Sequence, residues 1–458
     1  MALIPGSRRL VLLTAVLVLA SLQFTGAYDP LDPFGAITVK WDIMAWTGDG
    51  YTAVVSMYNT QQFRGIEKYH MGWTWDKKEV IYVMQGGQAT EQGDCTAYPA
   101  PPPHSCVRTP DIVDLVPGVP YSQQVANCCR DGAISAYAQD PANSVSSFQL
   151  TVGYAGNTNT TVKMPLKLTL KSPGPGYTCS DLKKVAPTRF SQSNGRFTQA
   201  YLTWNATCTY SQYLAQKAPT CCVSLSAFYS TDIVKCPDCA CNCSPNVTGP
   251  GINVLPGTDQ TCISTQTNYK NLPQLENGIT SNGVLATPPS LYCTNDMCPV
   301  KVHWHIKENY VNYWRAKVTV TNRNFQKNYS DWNIVVQHEN FVNFSEAFSF
   351  TYKALTPYGD IVNDTAMFWG VDYYNQMLLQ AGPDGNVQSE LLFAKDSRFT
   401  WSNGWGFPTR IYFNGDDCVL PEPQNYPQLP NDGHKARVGI SAALSLLMAL
   451  VLAIYLSL

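Results

Sequence analysis

Apolar and polar residues alternate along much of the chain. In YTAVVSMYN (51–59) the residues Tyr51, Ala53, Val55 and Met57 share one parity. In WRAKVTVTN (314–322) Trp314, Ala316, Val318 and Val320 do the same, with Arg315, Lys317, Thr319 and Thr321 between them. A period of two sends one set of side chains to a core and the other to water, which predicts half-buried β-strands. Further apolar, β-branched or aromatic runs are VIYVM (80–84), SFQLTVGY (147–154), MPLKLTL (164–170), FTQAYLTW (197–204), WNIVV (332–336) and TRIYF (409–413). Turn residues separate them at short intervals, and long amphipathic helices are hard to find. Several short antiparallel strands predict an all-β fold built of sandwiches.

Two of these stretches are one piece written twice. Tyr51–Asn59 lies over Trp314–Asn322 at a shift of 263 positions, and the same shift lays VKWDI (39–43) on VHWHI (302–306) without a gap. Residues 28–175 hold the first copy and 300–425 the second, with a cysteine-rich, disulfide-stapled segment, 176–299, between them. The strands near 197–229 are able to complete either sandwich.

The 458 residues suffice for two or three domains. Charged residues are only 14% and the net charge is −2, so composition points to neither nucleic acid nor an anionic membrane as partner. Arg8 and Arg9 precede the apolar run 10–22, and Thr25 and Ala27 are small, the pattern of a secretory signal cleaved after residue 27. A second apolar run, 440–458, follows a polar spacer and the small residues Asn431, Asp432 and Gly433. That order predicts a glycolipid (GPI) anchor on Asn431, with 426–431 as a stalk and 432–458 removed. The mature chain is then expected on the outer face of the plasma membrane.

All 16 cysteines fall between Cys95 and Cys418. In an oxidising compartment they read as disulfides. That reading covers Cys236, Cys239, Cys241 and Cys243, whose spacing would suit zinc in the cytosol. For the neighbours Cys128–Cys129 and Cys221–Cys222, a bond within each pair strains the geometry, so each cysteine is expected to reach a different partner. Sequons stand at Asn159, Asn205, Asn242, Asn246, Asn328, Asn343 and Asn363. Asn242 lies between Cys241 and Cys243, where a tied backbone hinders the transferase.

Candidate chemistry is sparse. His303 and His305 share a strand face but lack a third ligand at suggestive spacing, so they read as solvent-facing positions flanking Trp304. GDGYTA (48–53) leads into a strand rather than a helix and is no dinucleotide site. No nucleophile elbow, HExxH or P-loop occurs, and no pair of carboxylates can be placed across a cleft. No catalytic residue, metal or cofactor is therefore expected. Aromatics are 12% of the chain; flat rings stack on sugar C–H faces while amides and carboxylates bond the hydroxyls. Trp41 and Trp304, Trp73 and Trp332 fall at inward parity, as does Trp75. Trp46, in the turn MAWTGDG, and Tyr58, at outward parity, are the candidates for sugar contact.

The segments VKWDIMAW (39–46), NCCRDGAIS (127–135) and LTWNATCTYSQYLAQKAPTCCVSLSAFY (202–229), with the C-terminal anchor signal, resemble the plant COBRA-like family along essentially the whole mature chain. CCVS (221–224) is that family's signature. The resemblance implies a GPI-anchored, N-glycosylated wall protein with an N-terminal cellulose-binding region, acting in cellulose microfibril deposition. Separately, residues 314–336 are similar to the strand–turn–strand of bacterial cellulose-binding modules. The leading expectation is a non-enzymatic protein that binds cellulose or another β-glucan. A wall glycoside hydrolase or transglycosylase, and a cell-surface receptor or adhesion protein, are the alternatives.

Overall fold

The structure is a computed structural model. It describes residues 29–427 except 30, 100, 192–194, 216–219, 237–299, 324–326, 356–363, 382–383 and 397–405. The signal segment, Asn431, residues 432–458, Cys239, Cys241, Cys243, Asn242, Asn246 and Asn363 all lie outside the described residues. Among the described residues no helix is long and apolar enough to cross a membrane.

The chain divides into two compact units, Met1–Lys217 and Ala218–Leu458. The first contains β1 (Ile37–Trp46), β2 (Tyr51–Asn59), β3 (His70–Thr74), β4 (Val80–Gln85), β5 (Gly87–Ala89), β6 (Asp111–Asp114), β7 (Val145–Gly153), β8 (Leu166–Lys171), β9 (Tyr177–Cys179), β10 (Lys183–Val185), β11 (Arg189–Ser191), β12 (Phe197–Gln199) and β13 (Leu202–Tyr210). A seven-stranded sheet runs β10-β13-β1-β2-β7-β4, with β9 also on β13, and a four-stranded sheet runs β5-β6-β3-β8. Their inner faces share one core, in which Trp41 meets Trp73 at 5.0 Å and Trp75 and Trp204 each at 6.2 Å.

The second unit contains β14 (Cys221–Ala227), β15 (Val300–Asn309), β16 (Tyr313–Asn322), β17 (Ile334–Gln337), β18 (Phe344–Ala347), β19 (Phe350–Ala354), β20 (Thr365–Gly370), β21 (Asn386–Ala394), β22 (Arg410–Phe413) and β23 (Asp416–Asp417). Its sheets are β14-β15-β16-β21-β18 and β19-β20-β17-β22-β23. Trp304, Trp314 and Trp332 are fully buried between them.

The internal repeat is structural. β1 and β15 each have ten residues and begin at Ile37 and Val300, the same 263-residue shift that aligns the sequences. Both break register against the following strand at matching places, Ile43/Ala45 and Ile306/Glu308. Both following strands end on a buried asparagine whose side chain ties down the next turn. Asn59 Nδ2 donates to the carbonyl of Arg64 at 2.8 Å, and Asn322 Nδ2 to that of Lys327 at 3.0 Å. A buried amide held this way stops the strand and fixes the exit of the chain.

One open assignment is resolved and one expectation is corrected. The strands near 197–229 divide between the sandwiches: β13 pairs antiparallel with β1 and completes the first. β14 pairs parallel with β15 and completes the second. Each strand has an open edge of its own core to cover, and backbone pairing satisfies both. The neighbouring cysteines also behave differently from one another. Cys221 bonds Cys418 and Cys222 bonds Cys236, as divergent side chains on one strand require, but Cys128 bonds Cys129. Cys129 sits at φ 70° in a loop where Asn127, Asp131 and Gly132 also have positive φ, so the backbone there turns tightly enough to bring the two together. Cys95–Cys106 and the cross-strand Cys179–Cys208 complete the set among the described residues.

Candidate functional site

The paired strands β1 and β2 deliver the two candidate aromatics of the first unit to one sheet, Trp46 from β1 and Tyr58 from β2, but to opposite ends. Trp46 pairs in register with Tyr51, and Tyr58 pairs with Thr38. Eight residues along β1 separate the two sites, about 26 Å. One short ligand cannot span both rings.

Trp46 is half-buried against the margin of the core. Its ring lies 6.3 Å from that of Tyr201, a residue that is 62% exposed and held by a 2.8 Å bond from its backbone N–H to the Ile43 carbonyl. Nothing local in the sequence separates Tyr201 from the buried positions of β13 that follow it. The signal lay in the pairing of β13 with β1, a contact between distant segments. Together the two rings make an aromatic edge at the end of the sheet where β1 has just bulged.

Tyr58 is half-buried, with the Lys40 ammonium 5.3 Å over its ring. Asn205 shares this outer face: it pairs with Lys40, which pairs with Ser56, two residues from Tyr58. With strands about 4.8 Å apart, a glycan on Asn205 would stand roughly 12 Å from the Tyr58 ring. Asn159 and Asn328 are exposed. Asn343 Nδ2, the atom a glycan would occupy, donates to Asn340 Oδ1 and Asp396 Oδ2, each at 3.0 Å.

NCCRDGAIS folds around a carboxylate from elsewhere. Asp114, buried at the end of β6, accepts from the backbone N–H groups of Leu115 and Cys129 on Oδ1, and of Arg130 and Gly132 on Oδ2, at 2.8–3.1 Å. The Arg130 guanidinium donates to Asn143 Oδ1 at 2.6 Å and to the Val145 carbonyl. A Cβ on Gly132 would sit 2.5 Å from the Tyr69 backbone nitrogen, so only glycine fits there. These residues shape the scaffold beside β7.

In the second unit, His303 and His305 point away from the core, as expected, but are not simply solvated. The Ser224 hydroxyl meets His303 Nδ1, and the Ser226 hydroxyl bridges His303 Nε2 at 2.8 Å and His305 Nδ1 at 2.7 Å. Ser224 of CCVS and Ser226, two residues further along β14, thus hold the histidine pair. Burial, then Lys301, His305 and Lys317, pushes His303 down to about 4. Burial, then Lys317 and Lys307, also lowers His305. No group of three or more His, Cys, Asp or Glu placed to hold a metal occurs among the described residues.

These features define a protein of two related β-sandwiches, with an aromatic edge on one and a histidine–serine network on the other. Residues 51–211 match the COBRA N-terminal domain and 220–427 the COBRA family C-terminal domain. The break between these matches coincides with the break between the units. COBRA-like protein 1 of Arabidopsis thaliana is 56% identical over 432 residues, covering 93% of this chain and 92% of that one. COBRA-like protein 3 of Oryza sativa subsp. japonica is 56% identical over 411 residues, 89% and 87% of the two chains. Protein COBRA of Arabidopsis thaliana is 53% identical over 437 residues, 94% and 93%. The chain belongs to the COBRA family.

Proposed function

We propose that this chain is a non-enzymatic wall glycoprotein, GPI-anchored to the outer face of the plasma membrane. In this reading it binds cellulose or a related β-glucan through the first sandwich and assists microfibril deposition. The observation that carries the reading is the Trp46–Tyr201 edge. A half-buried indole is held rigid by the core, and an exposed phenol ring stands beside it, four residues, about 13 Å of strand, from the sequon at Asn205. Rigid rings lose little side-chain freedom on binding and present the flat apolar surface that a pyranose ring stacks on. Family membership and the signal and anchor patterns at 1–27 and 431–458 support the setting. Two sandwiches on one chain would raise the effective concentration of the second contact once the first is made.

The test is retention of the purified protein on crystalline cellulose, with release of reducing sugar assayed in the same tube. By analogy with rings stacked on nucleobases, each ring is worth about 1–3 kcal/mol. Trp46→Ala and Tyr201→Ala should each weaken binding roughly tenfold or more, with Tm unchanged for Tyr201→Ala. Undiminished binding in both variants would remove this edge from the reading. Steady sugar release would replace it with a glycoside hydrolase.

A further inference from the structure

The outward positions of the two copies carry opposite chemistry. In the first, β1 and β2 present Thr38, Lys40, Asp42, Met44, Thr52, Val54, Ser56 and Tyr58. The single acid there, Asp42, is buried and accepts from the Thr203 hydroxyl. At the same eight positions of the second copy stand Lys301, His303, His305, Lys307, Arg315, Lys317, Thr319 and Thr321. Six are basic side chains. KVHWHIK (301–307) sets four of them in a row about 20 Å long on one face of β15.

Acids offset the charge on this face only in part. Lys307 and Arg315 both bond Glu390 of β21, and Glu308 lies opposite Arg315 in register. Lys317, half-buried at the centre between His305 and Glu390 in register, forms no ion pair among the described residues. The histidine pair is pre-ordered by Ser224 and Ser226. Burial and the neighbouring lysines disfavour a second proton on either ring, so the fixed charge of this face comes from Lys301, Lys307, Arg315 and Lys317.

We propose that this face of the second sandwich binds a polyuronate, an acidic polysaccharide in which carboxylates are spaced along a hydroxyl-rich chain. Three of its four fixed cations, Lys301, Lys307 and Lys317, are point charges set apart along two strands, which suits separated carboxylates better than the clustered phosphates that favour arginine forks. Thr319, Thr321 and the exposed Gln388 lie beside them to bond hydroxyls. None of the eight positions is Trp, Tyr or Phe, so the stacking platform of a single-strand nucleic-acid site is missing from them. The reading shares the wall setting proposed above but not its neutral-glucan contact.

The experiment compares binding of the purified protein to immobilised polygalacturonate and to crystalline cellulose in parallel. Wild-type protein should bind polygalacturonate with an affinity that falls steeply as salt rises. Lys301→Gln/Lys317→Gln should lose about tenfold, and Lys301→Arg/Lys317→Arg should restore it, with the thermal melt of all three alike. Cellulose retention should be the same in all three. The proposal is overturned if wild-type protein ignores polygalacturonate, or if the glutamine variant binds as tightly as wild type. It is equally overturned if phosphatidylserine vesicles or single-stranded DNA displace polygalacturonate more effectively at equal charge. Loss of cellulose binding with polygalacturonate binding intact would sink the glucan reading and leave this one standing.

Discussion

Replacing Asp114 by asparagine changes one oxygen to an amide and leaves the volume almost untouched. In the native loop Oδ1 accepts from Leu115 and Cys129 and Oδ2 from Arg130 and Gly132. Whichever way the new amide turns, its NH2 faces two backbone N–H groups, so two hydrogen bonds disappear and two donors lose their acceptor. Each stranded donor in a buried setting costs about 1–3 kcal/mol. The two remaining bonds lose the charge assistance that makes a carboxylate acceptor roughly twice as strong as a neutral one. Partial relaxation toward water offsets some of this, and the expected loss is about 3–5 kcal/mol. For a unit of this size each kcal/mol moves Tm by about 2–4 °C, so a fall of roughly 6–20 °C is expected in the first unit's transition. Near-ultraviolet circular dichroism should read it, because Trp41, Trp73, Trp75 and Trp204 are buried there. A loss below about 1 kcal/mol would mean that the 127–132 loop holds its left-handed turns without the carboxylate, and the account of NCCRDGAIS given above would be wrong.

Trp73→Ala should destabilise the same unit by about 3–5 kcal/mol, since its ring meets Trp41 at 5.0 Å and Trp75 at 5.4 Å and stacks on Phe148. A melt within a degree or two of wild type would take the ring out of the core. The second unit should lose stability on acidification. His303 is held near 4 in the folded state against an ordinary 6.5, so the unfolded chain takes up its proton first as pH falls. Stability is therefore fully present above about 6.5 and declines toward 4, by on the order of 1–3 kcal/mol. Thermal melts at pH 7, 6 and 5 should show it, and a profile flat from 6.5 to 5 would place His303 in solvent.

What the sequence revealed was whatever repeats at short range. Alternation placed β1, β2, β15 and β16, and the parity of Trp41, Trp73, Trp75, Trp304 and Trp332 followed from it. What escaped depends on segments far apart in the chain. Asp114 and the loop it organises are separated by a stretch with no pattern linking them. Tyr201 becomes a neighbour of Trp46 only once β13 has paired with β1. The Cys128–Cys129 bond rests on positive φ angles that no composition rule announces. Net charge misled in another way: a chain at −2 overall averages away a face where Lys301, Lys307, Arg315 and Lys317 gather.

The comparison of the two copies also explains why a chain would carry both. At inward parity Val39 and Val302, Trp41 and Trp304, Ile43 and Ile306, Ala53 and Ala316, Val55 and Val318, and Asn59 and Asn322 are identical pairs. At outward parity, from Thr38/Lys301 to Tyr58/Thr321, no pair is identical. Packing accounts for the difference. An inward residue touches the facing sheet on all sides, so a change of even one methylene is felt. An outward residue meets water, and surface substitutions away from special features usually cost within about half a kcal/mol. Duplicating the strand pair therefore keeps one core solution and releases a second outer face from the chemistry of the first. Asn309 stands in the place of Trp46 and Thr321 in that of Tyr58, so the second copy lacks both candidate stacking rings and carries its cations at other positions of the same strands. If the first face holds a neutral glucan, the second was free to take a charged one.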